Sequence, residues 1–150
     1  MVAVARETIL TAFANLVFSL PGLITTNRRP RYWSDVPIEE QPAMFMAAGD
    51  QEIKNDPSGL PTSRILKGDL YLYVQSSDAT VAPSIILNGY LDQLEALLAS
   101  PSPGSPWPGG VQTLGGLVRS AWITGPIATS GDLLGSQGIA IIPFEIHANA

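Results

Sequence analysis

The stretch KGDLYLYVQS, residues 67–76, has the clearest strand pattern in the chain. Its aliphatic side chains alternate with polar or aromatic ones, and this period of two is typical of a β-strand with one buried face. The other face presents Tyr71 and Tyr73, whose polar tips suit a partly wet surface or an interface. The stretch therefore predicts a sheet with one aliphatic core face. The aliphatic positions are Leu70, Leu72 and Val74.

Helices are predicted before and after this strand, at residues 5–19 and 81–99. In both segments, apolar side chains recur at steps of three and four residues, which gives one apolar stripe. Pro21 and Gly22 end the first helix, and Pro83 fits the first turn of the second, where no amide donor is needed. The stripes are Ile9, Phe13, Leu16, Val17 and Leu20 in the first helix, and Leu87, Tyr90, Leu91, Leu94, Leu97 and Leu98 in the second.

Four more strands complete the predicted sheet. Proline donates no ladder hydrogen bond, so the strands that contain Pro30 and Pro143 are predicted at an edge or a bulge. Trp122 lies on a predicted strand and is expected in the core. Loop or turn composition is found in three segments, which are rich in Gly, Pro, Ser, Asn and Asp. The further strands are predicted at residues 23–33, 42–49, 117–125 and 137–148, and the loops or turns at 50–63, 100–110 and 128–138.

The order of elements is helix, three strands, helix and two strands. Short connections between consecutive strands favour antiparallel pairing, and two helices are enough to cover one face. We therefore expect an α+β two-layer sandwich, with a mostly antiparallel sheet of about five strands and both helices on one face. A length of 150 residues predicts one domain, residues 1–150.

The composition indicates a protein that assembles. Charged residues make up 14% of the chain, and the net charge is −5; an average domain has about 25% charged residues. So few charges hint that part of the surface is buried against other subunits. The apolar run at residues 9–24 is interrupted by Asn15 and is short for a membrane span, so we expect a soluble amphipathic helix and no membrane association.

The chain offers few groups for catalysis. It has no cysteine, which excludes disulfides, zinc–thiolate sites and cysteine nucleophiles. His147 is its only histidine and lies near the end of the sequence. The carboxylate clusters at residues 39–40 and 50–56 are interpreted as solvated charge. We therefore expect no enzyme and no cofactor or metal.

The stretch TTNRRPRYWSDVP, residues 25–37, combines arginines with aromatic rings. Such a mixture suits phosphate contacts and base stacking, and it suits protein–protein contacts equally. The net negative charge favours the protein contact, because nucleic-acid-binding domains usually carry excess positive charge. The candidate interface residues are Arg28, Arg29, Arg31, Tyr32, Trp33, Asp35, Glu39, Glu40, Tyr71, Tyr73 and Trp107.

The whole chain resembles the tail-terminator family of long-tailed bacteriophages, also described as minor tail protein U-like or tail completion proteins. The resemblance lies in the order and spacing of its pieces. These are RETILTAFANLV with LPGL, RRPRYWSDVPIEEQPAMFM, DLYLYV, LNGYLDQLEALL, QTLGGLV and GIAIIPFEI.

This resemblance implies a structural virion protein of the tail and neck, assembled in the host cytoplasm. Subunits of this family form a ring, expected to be a hexamer, that caps the tail tube and stops its polymerisation. The implied partners are further copies of the chain, the tail tube protein and the head–tail connector or stopper protein. DNA is expected only to pass through the channel. The alternatives are another head–tail joining protein of the phage neck and a nucleic-acid-binding module that uses residues 28–33.

Overall fold

The computed structural model describes residues 4–99, 111–130 and 135–149. In these ranges the chain forms two α-helices, six strands and two short 3-10 turns. The helices are α1 (Arg6–Val17) and α2 (Pro83–Leu98), and the 3-10 turns are Trp33–Asp35 and Ile38–Glu40. The strands are β1 (Thr25–Asn27), β2 (Ala43–Asn55), β3 (Pro61–Gln75), β4 (Ser120–Ile123), β5 (Ala128–Ser130) and β6 (Gln137–Asn149).

The strands form one mostly antiparallel sheet in the order β1-β2-β3-β6-β4, and β5 also pairs with β6. Only the short pairing of β1 with β2 is parallel among the described strands. The predicted α+β fold and the rough order of elements are confirmed. The sixth strand is β5, which forms three residues of the segment predicted as a turn.

One face of the sheet holds the main core. Leu70, Leu72 and Val74 are fully buried there, as the alternation in residues 67–76 predicts. Residues of both helices belong to the same buried cluster, so both helices cover this face. The rings of Phe13 on α1 and Phe144 on β6 meet with centroids 4.5 Å apart. This helix-covered face is called the core face below, and the opposite one the outer face.

The outer face has a small core of its own. Ala43, Phe45 and Tyr73 are buried on it, together with Val36 from the segment between β1 and β2. That segment leaves the sheet after Asn27 and crosses over β2 and β3 before β2 begins. The predicted strand at residues 23–33 is therefore wrong beyond Asn27, although β1 lies at the sheet edge as expected.

The segment predicted as a loop at residues 50–63 is instead a β-hairpin. β2 continues to Asn55 and β3 starts at Pro61, so only the turn between them is irregular. The Asp56 carboxylate accepts hydrogen bonds from the amides of Ser58 (2.9 Å) and Leu60 (3.1 Å), and Gly59 takes a positive φ of 88°. The turn-forming residues are thus confined to the hairpin tip.

Pro143 lies inside the sheet and not at its edge, since β6 pairs with β3 on one side and with β4 and β5 on the other. The Pro143 carbonyl oxygen accepts from the Thr124 amide at 2.9 Å, so its backbone polar groups face the side of β4 and β5. There it falls between the residues paired with β5 and those paired with β4. The missing amide donor therefore leaves no ladder bond unmade.

The prediction that Trp122 lies in the core is wrong. Trp122 is 42% exposed, whereas its neighbour Ala121 is 1% exposed and belongs to the main core. Trp122 pairs with Glu145 across β4 and β6, at a position that points to the outer face. Because the side chains of a strand alternate, assigning the large apolar residue to the core inverted the faces of β4.

Candidate subunit interface

The segment that carries the arginines and aromatics is fastened to the outer face. The Tyr73 hydroxyl donates to the Arg31 carbonyl oxygen at 2.6 Å, and the Arg31 guanidinium lies 5.3 Å from the centroid of the Phe45 ring. Val36, at 3% exposure, completes the contact. The turn that starts the segment is fixed by the Asn27 side chain, whose oxygen accepts from the Arg29 amide at 2.9 Å.

Two of the three arginines have carboxylate partners in their own chain. Arg28 forms an ion pair with Glu7 on α1, and Arg31 forms one with Glu40 at 3.0 Å. Arg29 is exposed and makes no ion pair within the described ranges 4–99, 111–130 and 135–149. Arg29 is therefore the arginine whose charge is most available to a partner, while Arg28 and Arg31 help to hold the segment in place.

An aromatic groove opens beside the fastened segment. Its centre is Tyr32, which is 78% exposed. Two adjoining cavities, of about 260 and 390 Å³, share Pro30, Arg31 and Tyr32. The first cavity is completed by Tyr71 and Tyr73, and the second by Asn27, Arg29 and Asp35. We call this surface the Tyr32 groove.

The two predicted interface tyrosines of β3 differ in their surroundings. Tyr71 is half-buried and lines the groove, whereas Tyr73 is only 5% exposed and lies beneath the segment. Burial raises the pKa of the Tyr73 phenol, and the neighbouring Tyr71 raises it further. Tyr73 thus supports the surface from below and presents little of its ring to a partner.

The remaining predicted residues lie on the two 3-10 turns that follow Tyr32 or outside the described ranges. Trp33 is 39% exposed, and Asp35 and Glu39 are exposed on the two 3-10 turns. Ile38 was not predicted as an interface residue, but it lies on the second 3-10 turn and is 47% exposed. Trp107 lies in the segment 100–110, which is outside the described residues.

The largest feature that sequence reasoning missed is the hairpin of β2 and β3. Its distal part, residues 50–62, is exposed on both faces apart from the half-buried Asp56, and we call it the arm. Ile53 and Leu60 on the arm are 52% and 64% exposed. A signal was present in the sequence: Asp-Pro-Ser-Gly between two β-compatible runs is a turn pattern that also joins hairpins.

Next to the arm, the outer face carries charges. Lys67 lies between Glu52 and Glu145, with its ammonium nitrogen 3.9 Å from a carboxylate oxygen of each. The described residues contain no group of three or more His, Cys, Asp or Glu that is arranged to hold a metal ion. They also contain no helix that is both long enough and apolar enough to span a bilayer.

No protein-family model matches the chain, and no curated protein matches it in sequence.

Proposed function

We propose that the protein is a structural virion subunit that assembles into a ring, expected to be a hexamer, at the end of a phage tail tube. The ring stops polymerisation of the tube and forms the joint to the head connector. The single observation that carries this proposal is the arm, in which the end of β2 and the hairpin tip present both faces and two large aliphatic side chains to solvent.

A subunit that works alone has little use for such an arm. Among the described strands, the end of β2 pairs with β3 on one side only, since β1 reaches no further than Phe45. Such an exposed sheet edge is suited to pairing with another chain. Exposure of the Ile53 and Leu60 side chains to water is unfavourable, and their burial in an interface is favourable. The arm therefore supports an assembly role, in which it docks on a neighbouring copy or on the tube.

The net charge supports the same role. A subunit with a net charge of −5, repeated around a ring, contributes a negative field along the channel. DNA that passes through such a channel is repelled by the wall and slides without binding. Few phosphate-binding groups are required for this task, in contrast to a nucleic-acid-binding module.

Another neck protein that joins the head to the tail is the second candidate, since the same exposed surfaces suit it. A nucleic-acid-binding module is less well supported, because Glu7 and Glu40 neutralise Arg28 and Arg31. For such a module the logarithm of affinity falls with the logarithm of salt with a slope of about −0.9 per phosphate contacted in duplex DNA. A chain that contacts phosphate through Arg29 alone has a slope of about −1.

The test uses the purified full chain, alone and mixed with the tail tube protein of a long-tailed phage that encodes it. We expect rings in native mass spectrometry and electron microscopy, one ring at the end of each tube, and shorter tubes as the ring protein is added. A chain that stays monomeric and leaves tube length unchanged contradicts the proposal. Binding to the connector but never to tubes favours the neck-joining alternative.

A further inference from the structure

We propose that the Tyr32 groove binds a proline-rich segment in the polyproline II conformation, and that its occupant is residues 100–110 of a second copy of this chain. The proposal rests on the proposed self-assembly and adds the contact that links one subunit to the next. It is carried by the geometry of the groove, by the composition of the segment 100–110 and by the positions of the residues that flank it.

The groove has the chemistry that recognises polyproline II. Such segments dock on grooves lined by aromatic rings, because their conformation is largely preformed and little entropy is lost on binding. Tyr32 stands 78% exposed between Pro30 and Tyr71, and the hydrogen bond from Tyr73 to Arg31 fixes the segment that carries it. The backbone that carries Tyr32 is therefore held in place before a ligand arrives.

The pairing of two cavities around one ring suits a proline motif. Polyproline II has three residues per turn and rises about 3.1 Å per residue, so residues three apart lie on one face about 9 Å from each other. The two cavities share Pro30, Arg31 and Tyr32, so we expect one such proline on each side of the ring. The backbone of this conformation has no internal hydrogen bonds, and Arg29, which lines the second cavity, supplies donors for its carbonyl groups.

The segment SPSPGSPWPGG, residues 100–110, has this motif. Four of its eleven residues are proline, it carries no charge, and Pro103 and Pro106 are three residues apart. Trp107 follows directly and adds an aromatic side chain of the type enriched at interface hot spots.

The positions of the flanking residues assign the segment to a second copy. The Gln112 side-chain amide donates to the Leu97 carbonyl oxygen at 3.5 Å, so the two flanks of the segment lie close together. From Ala99 to Pro103 the chain spans at most about 14 Å, and from Pro106 to Val111 at most about 18 Å. The flanks lie at the end of α2, beside β4, on the core face, whereas the groove lies over β2 and β3 on the outer face.

To reach its own groove, the segment would have to pass one layer of about 10 Å and at least two strand spacings of about 5 Å each. That path of about 20 Å exceeds the reach of either proline from its flank. The groove and the flanks of the segment lie on different parts of the subunit surface, so their pairing between copies is heterologous. A heterologous contact generates a ring when its rotation closes, in keeping with the proposed assembly.

The first test measures binding of a fluorescently labelled peptide of residues 100–110 to the full chain. The receptor carries Pro103→Ala and Pro106→Ala, so that its own segment does not compete. We expect saturable binding that Tyr32→Ala weakens at least about tenfold, and none to a peptide with the same two alanines. Trp122→Ala, an exposed aromatic outside the groove, serves as the matched control and leaves affinity unchanged. Equal binding of both peptides, or an unchanged affinity in Tyr32→Ala, overturns the proposal.

The second test identifies the occupant by native mass spectrometry. We expect Tyr32→Ala and Pro103→Ala/Pro106→Ala each to prevent ring formation, and their equimolar mixture to give heterodimers, since one intact groove meets one intact segment. Thermal unfolding checks that each variant is folded. Rings in both variants overturn this contact and leave the proposed function standing. A wild-type chain that is monomeric contradicts the proposed function. If this monomer does not bind the peptide, whereas the Pro103→Ala/Pro106→Ala variant does, the segment occupies the groove of its own chain.

Discussion

Tyr73 and Arg31 are joined by a hydrogen bond of 2.6 Å, in which the Tyr73 hydroxyl donates to the Arg31 carbonyl oxygen across 42 residues of sequence. This bond holds the segment with Tyr32 and Trp33 against the outer face of the sheet. The surface proposed for assembly therefore depends on a side chain that is itself buried.

Replacement of Tyr73 by Phe is expected to lower the free energy of unfolding by about 1 kcal/mol, because the Arg31 carbonyl loses its donor. For a chain of this length the midpoint of thermal unfolding then falls by about 2–4 °C. Tyr71→Phe is the matched control on the same strand, and it changes the midpoint little. A Tyr73→Phe chain as stable as wild type shows that the bond contributes nothing.

The same bond makes the segment sensitive to alkaline pH. Burial, and secondarily Tyr71, raises the pKa of the Tyr73 phenol above the ordinary value of about 10. Because the folded-state pKa is the higher one, the protonated phenol contributes stability that is fully present below the unfolded pKa and is lost as pH rises through the folded pKa. Carbon NMR of ring-labelled tyrosine, with Tyr73→Phe for assignment, measures this titration. A Tyr73 that titrates at its ordinary value or below contradicts the expectation.

β2 has a bulge between Ala48 and Gln51, and Gly68 on β3 lies opposite Ala48 beside it. A side chain at Gly68 would overlap the Ala47 carbonyl oxygen and lie 2.6 Å from the Phe144 ring. We expect Gly68→Ala to destabilise the fold by about 3 kcal/mol. Gly89→Ala is the control: it is exposed on α2 with no atom within 4 Å of the added carbon, and it is expected to stabilise by about 0.5–1 kcal/mol. Equal urea unfolding midpoints for the two variants would contradict this account.

The periodic sequence pattern predicted the main core correctly. Features that depend on contacts between distant parts of the sequence were not predicted. Leu70, Leu72 and Val74 are buried because a period of two in a half-buried strand needs no distant information. The burial of Tyr73 depends instead on a segment 42 residues away that crosses the sheet, and nothing next to Tyr73 in the sequence indicates it.

The arm and β4 show two further limits. In residues 50–63 the Asn, Asp, Pro, Gly and Ser content suggested a loop, although most of these residues are needed only for the tip of a hairpin. In β4, Ala121 and Trp122 point to opposite faces of the sheet, so only one of them can face the core. A strand of four residues is too short for its sequence pattern to decide which one does. The large apolar side chain of Trp122 suggested that this residue lies in the core. The core position under the helix is instead taken by the smaller side chain of Ala121.

The apolar side chains of the arm allow assembly to be separated from folding. Ile53 and Leu60 are 52% and 64% exposed, so changing both to Ser is expected to alter the free energy of unfolding by no more than about 0.5 kcal/mol. If the arm docks on a neighbouring copy or on the tube, the same change removes buried apolar area from that contact. Association is then expected to weaken at least about tenfold.

Ile85→Ser is the control for this experiment, since Ile85 is 61% exposed on α2 and outside the arm. Analytical ultracentrifugation of the chain and electron microscopy of tubes mixed with it compare the variants at equal concentration. The double arm variant is expected to lose rings and tube ends, and Ile85→Ser to keep both. A double variant that assembles like wild type removes the arm from the interface. One that unfolds early shows that Ile53 and Leu60 stabilise the subunit itself, in which case their exposure does not indicate a docking surface.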